Sequence, residues 1–267
     1  MSEASAVKKV DRPNTRTSLH HQFKELGLKE GMVVIVHSSL SSLGWVCGGS
    51  AAVIQALMDT VGEEGTIVMP AQTAENSDPS NWEMPPVPKE WWKTIRAEMP
   101  AFDPDVTPTR GMGSIAETFR GFPGVKRSNH PTYSFTAWGK HAGEIIHEQP
   151  LPAGFGDDSP LAKIYQLDGF SLLLGVGHDS NTSLHLAEHA VPHKKKLEKG
   201  TALLENGIRV WRTYEEIDYD SELFAELGKE YEQAHTVAAA KVGAAEAKLI
   251  RQRPMVDYAR EWLKNKH

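Results

Sequence analysis

MVVIVHSSLSSLGWVCGGSAAVIQALMDTVGEEGTIVMP, residues Met32 to Pro70, decides the fold. Met32 to Val36 is an unbroken apolar, β-rich run, the signature of a strand buried on both faces. A serine- and glycine-rich loop follows, and Ser50 is placed to cap the helix AAVIQALMDTV, which stops at Gly62. Thr66 to Met69 is the next strand, ended by Pro70. Strand, loop, helix and strand at this spacing form a βαβ crossover, so the two strands are parallel.

Upstream, residues 1–14 are polar and read as a flexible leader, without the apolar core of a signal peptide. Thr15 to Leu26 carries Leu19, Phe23 and Leu26 at helical spacing and ends at Gly27. Downstream, residues 71–108 hold seven prolines together with Trp82, Trp91 and Trp92. So long an irregular segment after a strand reads as a lid or binding insertion. Trp91 and Trp92 would give it an apolar wall, and Asp103 or Asp105 a charge. Ser114 and Glu117 have capping-box spacing for IAETFR, and a further helix falls near Lys140 to His147. Asn206-Gly207 marks a hairpin turn before the strand Ile208 to Arg212. Helices are expected from Ser221 to about Arg251 and from Pro254 to Lys264. The expected fold is therefore α/β: a central sheet with parallel βαβ units flanked by helices, a long irregular insertion and a helical C-terminal part over about 221–264. Residues 15–267 read as one domain.

The 267 residues are 40% hydrophobic, enough for one substantial core, and no apolar run reaches the ~20 residues of a membrane span. Cys47 is the only cysteine, which excludes an internal disulfide and a cysteine-based zinc site and favours a packed thiol over a nucleophile. A net charge of −6 argues against nucleic acid and for a cationic ligand. Cytoplasmic residence is the simple reading.

Three segments carry chemistry. The loop His37-Ser38-Ser39-Leu40-Ser41-Ser42 runs between a strand and a helix N-terminus, offering hydroxyl and N–H donors to an anion or an extended amide-bearing ligand. It is neither a P-loop nor a dinucleotide fingerprint. Lys126-Arg127-Ser128-Asn129-His130-Pro131 groups cations and a hydroxyl beside a proline-fixed turn, which suits a phosphate; alone it equally describes a solvated surface, as the run Lys194–Lys196 does. The third is LLLGVGHDSNTSLHLAEH, Leu172 to His189: a buried strand, a turn through His178-Asp179-Ser180, and a helix capped by Asn181 or Thr182. That helix would hold His185, Glu188 and His189 in its first two turns, where the dipole favours a neutral imidazole able to act as a general base. The same residues match H-x-x-E-H, so a zinc hydrolase using His185, Glu188 and His189 is a competing reading, and a non-catalytic binding protein is another.

Together, VHSSLSSLGWVCGG, GTIVMP, RGMGSIAETFR, GVKRSNHP and LLLGVGHDSNTSLHLAEH resemble the aminoglycoside 3-N-acetyltransferases, in family order over about residues 33–190. The insertion DPSNWEMPPVPKEWW looks most like the Bacillus-type members. The resemblance implies an α/β fold unrelated to the common GNAT acetyltransferase fold, and acetyl-CoA as co-substrate without a metal. The implied acceptor is the 3-amino group of the 2-deoxystreptamine ring of a cationic aminoglycoside. His185 matches the family's catalytic histidine, with Thr182 beside it and Glu188 on the same turn. His37 to Ser42, with Gly111, Gly113 and Ser114, match the pantetheine side; Arg127, Ser128 and His130 match the stretch near the CoA phosphates. Asp179, Trp91 and Trp92 fall to the acceptor. A site carboxylate comes from after the hairpin strand, where Glu216 and Asp218 both fit. The chain would work as a monomer or homodimer.

Overall fold

A computed structural model describes residues 3–266. Nine strands form two sheets: β1 Val33–Ser38, β2 Thr66–Pro70, β3 Lys126–Arg127, β4 Phe135–Gly139, β5 Phe170–Leu174, β6 Lys196–Glu205, β7 Ile208–Ile217, β8 Ala238–Val242 and β9 Ala245–Arg251. Seven lie in the order β3-β4-β2-β1-β5-β9-β8, and β6-β7 is a separate hairpin. β1 runs parallel to both β2 and β5, while β4, β9 and β8 join antiparallel.

The unbroken apolar runs of β1, β2 and β5 follow from cores on both sides. Val34, Val36, Ile67, Met69, Leu172 and Leu174 pack under the helices Arg16–Leu26, Gly49–Val61 and Gly113–Arg120. Val33, Ile35, Val68 and Leu173 face the other way, onto Phe155, Leu184, Phe224 and the C-terminal helix Gln252–Lys266. Successive side chains alternate between the faces, as the two-residue period of a strand requires.

Several local expectations are corrected. The helix after the serine loop is capped by Gly48, with Ser50 inside its first turn, donating to Ser114 at 3.1 Å. Ser114 and Glu117 form no capping box; Glu117 accepts instead from the Thr109 amide and from Arg120. The helix expected over Ser221 to Arg251 ends at Ala234, and residues 238–251 are the strands β8 and β9. β9 closes the sheet on β5, so tertiary pairing overrides the alanine-rich helix propensity. Residues 3–14 do not run free: Glu3–Val7 is helical, Lys9 Nζ donates to Ser41 O at 2.8 Å, and the buried Asn14 pairs with the loop at Trp45 and Cys47. Residues 1 and 2 of the expected leader lie outside the described residues. Cys47 is exposed rather than packed.

The insertion is anchored on the β6-β7 hairpin. Asn76 bonds Thr201 and Ala202, the Phe102 amide donates to Ala202 O, and Arg209 donates to the carbonyls of Arg96 and Met99. Among the described residues no helix is long and apolar enough to cross a membrane.

Candidate active site

β1 and β5 are parallel neighbours, and both end on the same side of the sheet. Their C-terminal ends open into a cleft of about 790 Å³, where open α/β sheets take their ligands. His37 to Ser41, Gly111 to Ser114, Asp179, Thr182, His185 and Ser221 line it. The serine loop enters because β1 stops at Ser38, whose register partner is Leu174 at the end of β5. Gly111 and Gly113 have φ of +74° and +81°, left-handed conformations that bring the start of the Gly113–Arg120 helix to the cleft wall.

His185 lines the cleft with its side chain 14% exposed. Its Nδ1 bonds Glu188 Oε2, so in the neutral ring Nδ1 carries the proton and Nε2 is the free acceptor. The other oxygen of Glu188 accepts from Lys194 Nζ at 2.5 Å and from the Asp220 amide at 2.9 Å. Glu188 is 1% exposed at its side chain. Burial pushes its carboxyl up, but His185, Lys194 and the Asp220 N–H outweigh that and hold it below the ordinary glutamate range. It is therefore a fixed carboxylate. Phe155 stacks on the imidazole at 4.9 Å and 9°, while Tyr219 and Phe224 close in at 5.4 and 4.9 Å. These contacts lock the ring plane.

The helix that carries His185 is short, His185–Glu188, and two 3-10 turns precede it. Neither Asn181 nor Thr182 makes a side-chain cap. The dipole argument for the neutral imidazole is thus corrected: a four-residue helix has little macrodipole, and the Glu188 carboxylate orients the ring instead.

The two carboxylates left open after the hairpin now separate. Asp218 is at the surface beside Lys195, at 3.2 Å. Glu216 is buried and accepts from the Gly154 and Ile217 amides at 2.9 and 3.0 Å and from Tyr219 Oη at 3.1 Å. Tyr219 Oη in turn meets His189 Nε2 at 2.8 Å. Glu216 thus braces the aromatic wall, and neither carboxylate bonds His185.

Other expected site residues fall elsewhere. Arg127 donates to the carbonyls of Ala71, Thr107 and Pro104 and to Ser134 Oγ, with Phe102 under its guanidinium at 5.0 Å. Its donors pin the insertion to the sheet. Ser128 and His130 are buried against Gln149 and Leu151. None of the three lines the cleft. Ser42 turns inward to Ser39 at 3.0 Å. Trp91 is 55% exposed, and Trp92 packs against Lys89 and Arg96. The tryptophan of the insertion that lines a cavity is Trp82, with Tyr133 and Tyr214 in a second pocket of about 530 Å³. Lys194, read as part of a solvated run, is the cation on Glu188. Its signal was only proximity: six residues beyond the carboxylate, across a turn.

His185 and His189 make separate hydrogen bonds, one to Glu188 and one to Tyr219, rather than converging on a common point. Among the described residues no group of three or more His, Cys, Asp or Glu side chains is arranged to hold a metal ion.

The family model for aminoglycoside 3-N-acetyltransferases matches residues 35–264. The chain is 51% identical to the SPbeta prophage-derived aminoglycoside N(3')-acetyltransferase-like protein YokD of Bacillus subtilis, over 97% of this chain and 96% of that protein. The crystal structure of YokD superposes with a TM-score of 0.97 at 50% identity, covering 98% and 97% of the two chains. Aminoglycoside N(3)-acetyltransferase IX of Micromonospora chalcea is 35% identical over 100% of this chain and 99% of that enzyme. A structure described as AAC-IIIb binary with CoASH matches with a TM-score of 0.86 at 31% identity, over 96% and 98% of the chains. The chain belongs to the aminoglycoside 3-N-acetyltransferase family and is an acyltransferase of that class.

Proposed function

We propose that the chain transfers an acetyl group from acetyl-CoA directly to the 3-amino group of a 2-deoxystreptamine aminoglycoside, with His185 as general base. The observation that carries this is the His185–Glu188 pair on the wall of the serine-lined cleft. The cleft residues fit the co-substrate: Ser38, Ser39 and Ser41 bring hydroxyls, and the turn at Gly111 and Gly113 brings backbone amides, to an amide-bearing chain. A relative solved with CoASH shares the fold.

Acetyl-CoA, when bound, supplies an activated acetyl thioester. An amine is mostly protonated near pH 7, so its nitrogen must lose a proton to attack. His185 Nε2 accepts that proton, and the Glu188 carboxylate on Nδ1 stabilises the resulting imidazolium. As the new C–N bond forms and the C–S bond breaks, His185 returns that proton to the departing sulfur, and the second proton of the former ammonium leaves the amide nitrogen for solvent. Thr182, buried beside His185 in the cleft, offers a hydroxyl to the carbonyl oxygen. Asp179 lines the same cleft and attracts the cationic acceptor, as does the net charge of −6. Using acetyl-CoA places the protein in the cytoplasm.

The test is thiol release from acetyl-CoA in the presence of 2-deoxystreptamine antibiotics. Release that depends on the antibiotic and is lost in His185→Ala supports the proposal. No release with any of them, and no CoA binding by calorimetry, contradicts it.

A further inference from the structure

The cleft holds a second imidazole that the reaction as derived leaves unused. His37 is the penultimate residue of β1, and strand alternation puts it on the face of Ile35, the face whose core includes Phe155, Leu184 and Phe224 around His185. Its register partner is Leu173. His37 is 6% exposed and lines the cleft, yet its Nε2 is enclosed and makes no hydrogen bond.

That enclosure leaves Nδ1 as the nitrogen able to serve a ligand. Burial, with the nearby His185 adding to it, holds the His37 pKa down to about 3, so the ring is neutral whenever an amine can react. A neutral ring carries one N–H. Either tautomer leaves the enclosed Nε2 unpaired, at ~1–3 kcal/mol for an unsatisfied donor or acceptor, so the two differ in what Nδ1 can offer a ligand. On Nδ1, the nitrogen left to reach the cleft, the proton can meet water or ligand. With the proton on Nδ1, His37 presents a donor held by β1, which pairs at His37 with Leu173 of β5.

We propose that His37 is a further catalytic residue: its Nδ1–H donates to the carbonyl oxygen of the acetyl thioester, opposite the face from which the acceptor amine attacks. The inference rests on the acetyl-CoA reading of the cleft. Negative charge grows on that oxygen as the amine nitrogen bonds to the carbonyl carbon, and a donor fixed beforehand needs no reorganisation to meet it. His185 takes and returns the proton; His37 stays neutral and exchanges none.

The test compares substitutions that differ by which ring nitrogen they imitate. An asparagine amide falls near Nδ1 of the imidazole it replaces, a glutamine amide near Nε2. The carbonyl stretch of acetyl-CoA labelled with 13C at the acetyl carbonyl is recorded by infrared difference spectroscopy on the full chain without acceptor, beside kcat with acceptor. The expected result is a band below that of free acetyl-CoA in the unsubstituted protein, lost in His37→Ala and His37→Gln and recovered in His37→Asn. The kcat of His37→Ala falls ~10²–10³-fold while its Kd for acetyl-CoA stays within about threefold. An unshifted band in the unsubstituted protein, or equal bands and rates in His37→Asn and His37→Gln, overturns the inference and leaves the acetyl-CoA reading intact. Failure of the unsubstituted protein to bind acetyl-CoA in calorimetry overturns both.

Discussion

Lys194 Nζ lies 2.5 Å from Glu188 Oε1, on the oxygen that faces away from His185. The carboxylate is thus clamped on one side by an ammonium and a backbone amide while the other side holds the imidazole. Burying a lone carboxylate against a histidine would favour proton transfer between them; the cation keeps Glu188 ionised and the imidazole free to gain a proton.

Glu188→Gln should therefore lower kcat by ~10²–10⁴-fold, because the amide loses the charge that stabilises the imidazolium. The KM for acetyl-CoA should change little. Lys194→Met should give a smaller loss in kcat and a shifted acid limb in the pH–rate profile. Steady-state kinetics on both variants checks this; a Glu188→Gln enzyme with unchanged kcat contradicts the role.

Arg127→Ala separates scaffold from cofactor site. Its guanidinium serves the carbonyls of Ala71 and Thr107, so its removal strands acceptors and loosens the insertion, at a cost of about 2–3 kcal/mol in unfolding free energy. Urea melts should show that loss with an unchanged KM for acetyl-CoA. A raised KM with unaltered stability would return Arg127 to the phosphates.

The βαβ unit was legible because β1, β2 and β5 are buried on both faces and look so in sequence, and the hairpin because Asn206-Gly207 permits only a tight turn. The helix-dipole reason for a neutral His185 is not supported by so short a helix; the hydrogen-bond partner of the ring, Glu188, stands three residues away. Arg127 reads in sequence as part of a local cluster that resembles an anion site, while the carbonyls it bonds lie 20 to 56 residues away and could not be read there. Residues 238–251 misled because alanine favours helices in isolation. Gly243, with φ of +58° and packed on Leu43 O, was the available turn signal.

Acid should destabilise the fold above the carboxylate range. Burial holds His37 and His130 down to about 3 and 4, against 6.5 when unfolded. Between those values the unfolded chain binds more protons, so stability is full above pH 6.5 and falls as pH drops toward the folded values. Each histidine contributes a slope of up to ~1.4 kcal/mol per pH unit, and together they predict a loss of about 2–4 kcal/mol between pH 6.5 and 5. Urea unfolding at those two pH values measures it, and His130→Asn should flatten the slope. Equal stability at both contradicts the buried neutral pair.

Trp82, not Trp91, should influence which acceptors react, since Trp82 lines the second pocket while Trp91 stands exposed. Its Nε1 donates to Ser77 Oγ at 2.9 Å, holding the indole over the pocket. Trp82→Ala should change relative kcat/KM across a panel of amines and leave acetyl-CoA affinity intact. Trp91→Ala, at an exposed position, should alter stability by no more than about 0.5 kcal/mol and leave the preference unchanged. The reverse pattern would move the acceptor wall to Trp91.

The most direct measurement is the position of the acetyl group in the product. The protein is incubated with acetyl-CoA and a 2-deoxystreptamine antibiotic, and the modified nitrogen is located by NMR. An acetyl group on the 3-amino nitrogen, absent when His185→Ala is used, is the predicted result. Hydrolysis of acetyl-CoA without an acetylated amine, or acetylation at another nitrogen, would contradict it.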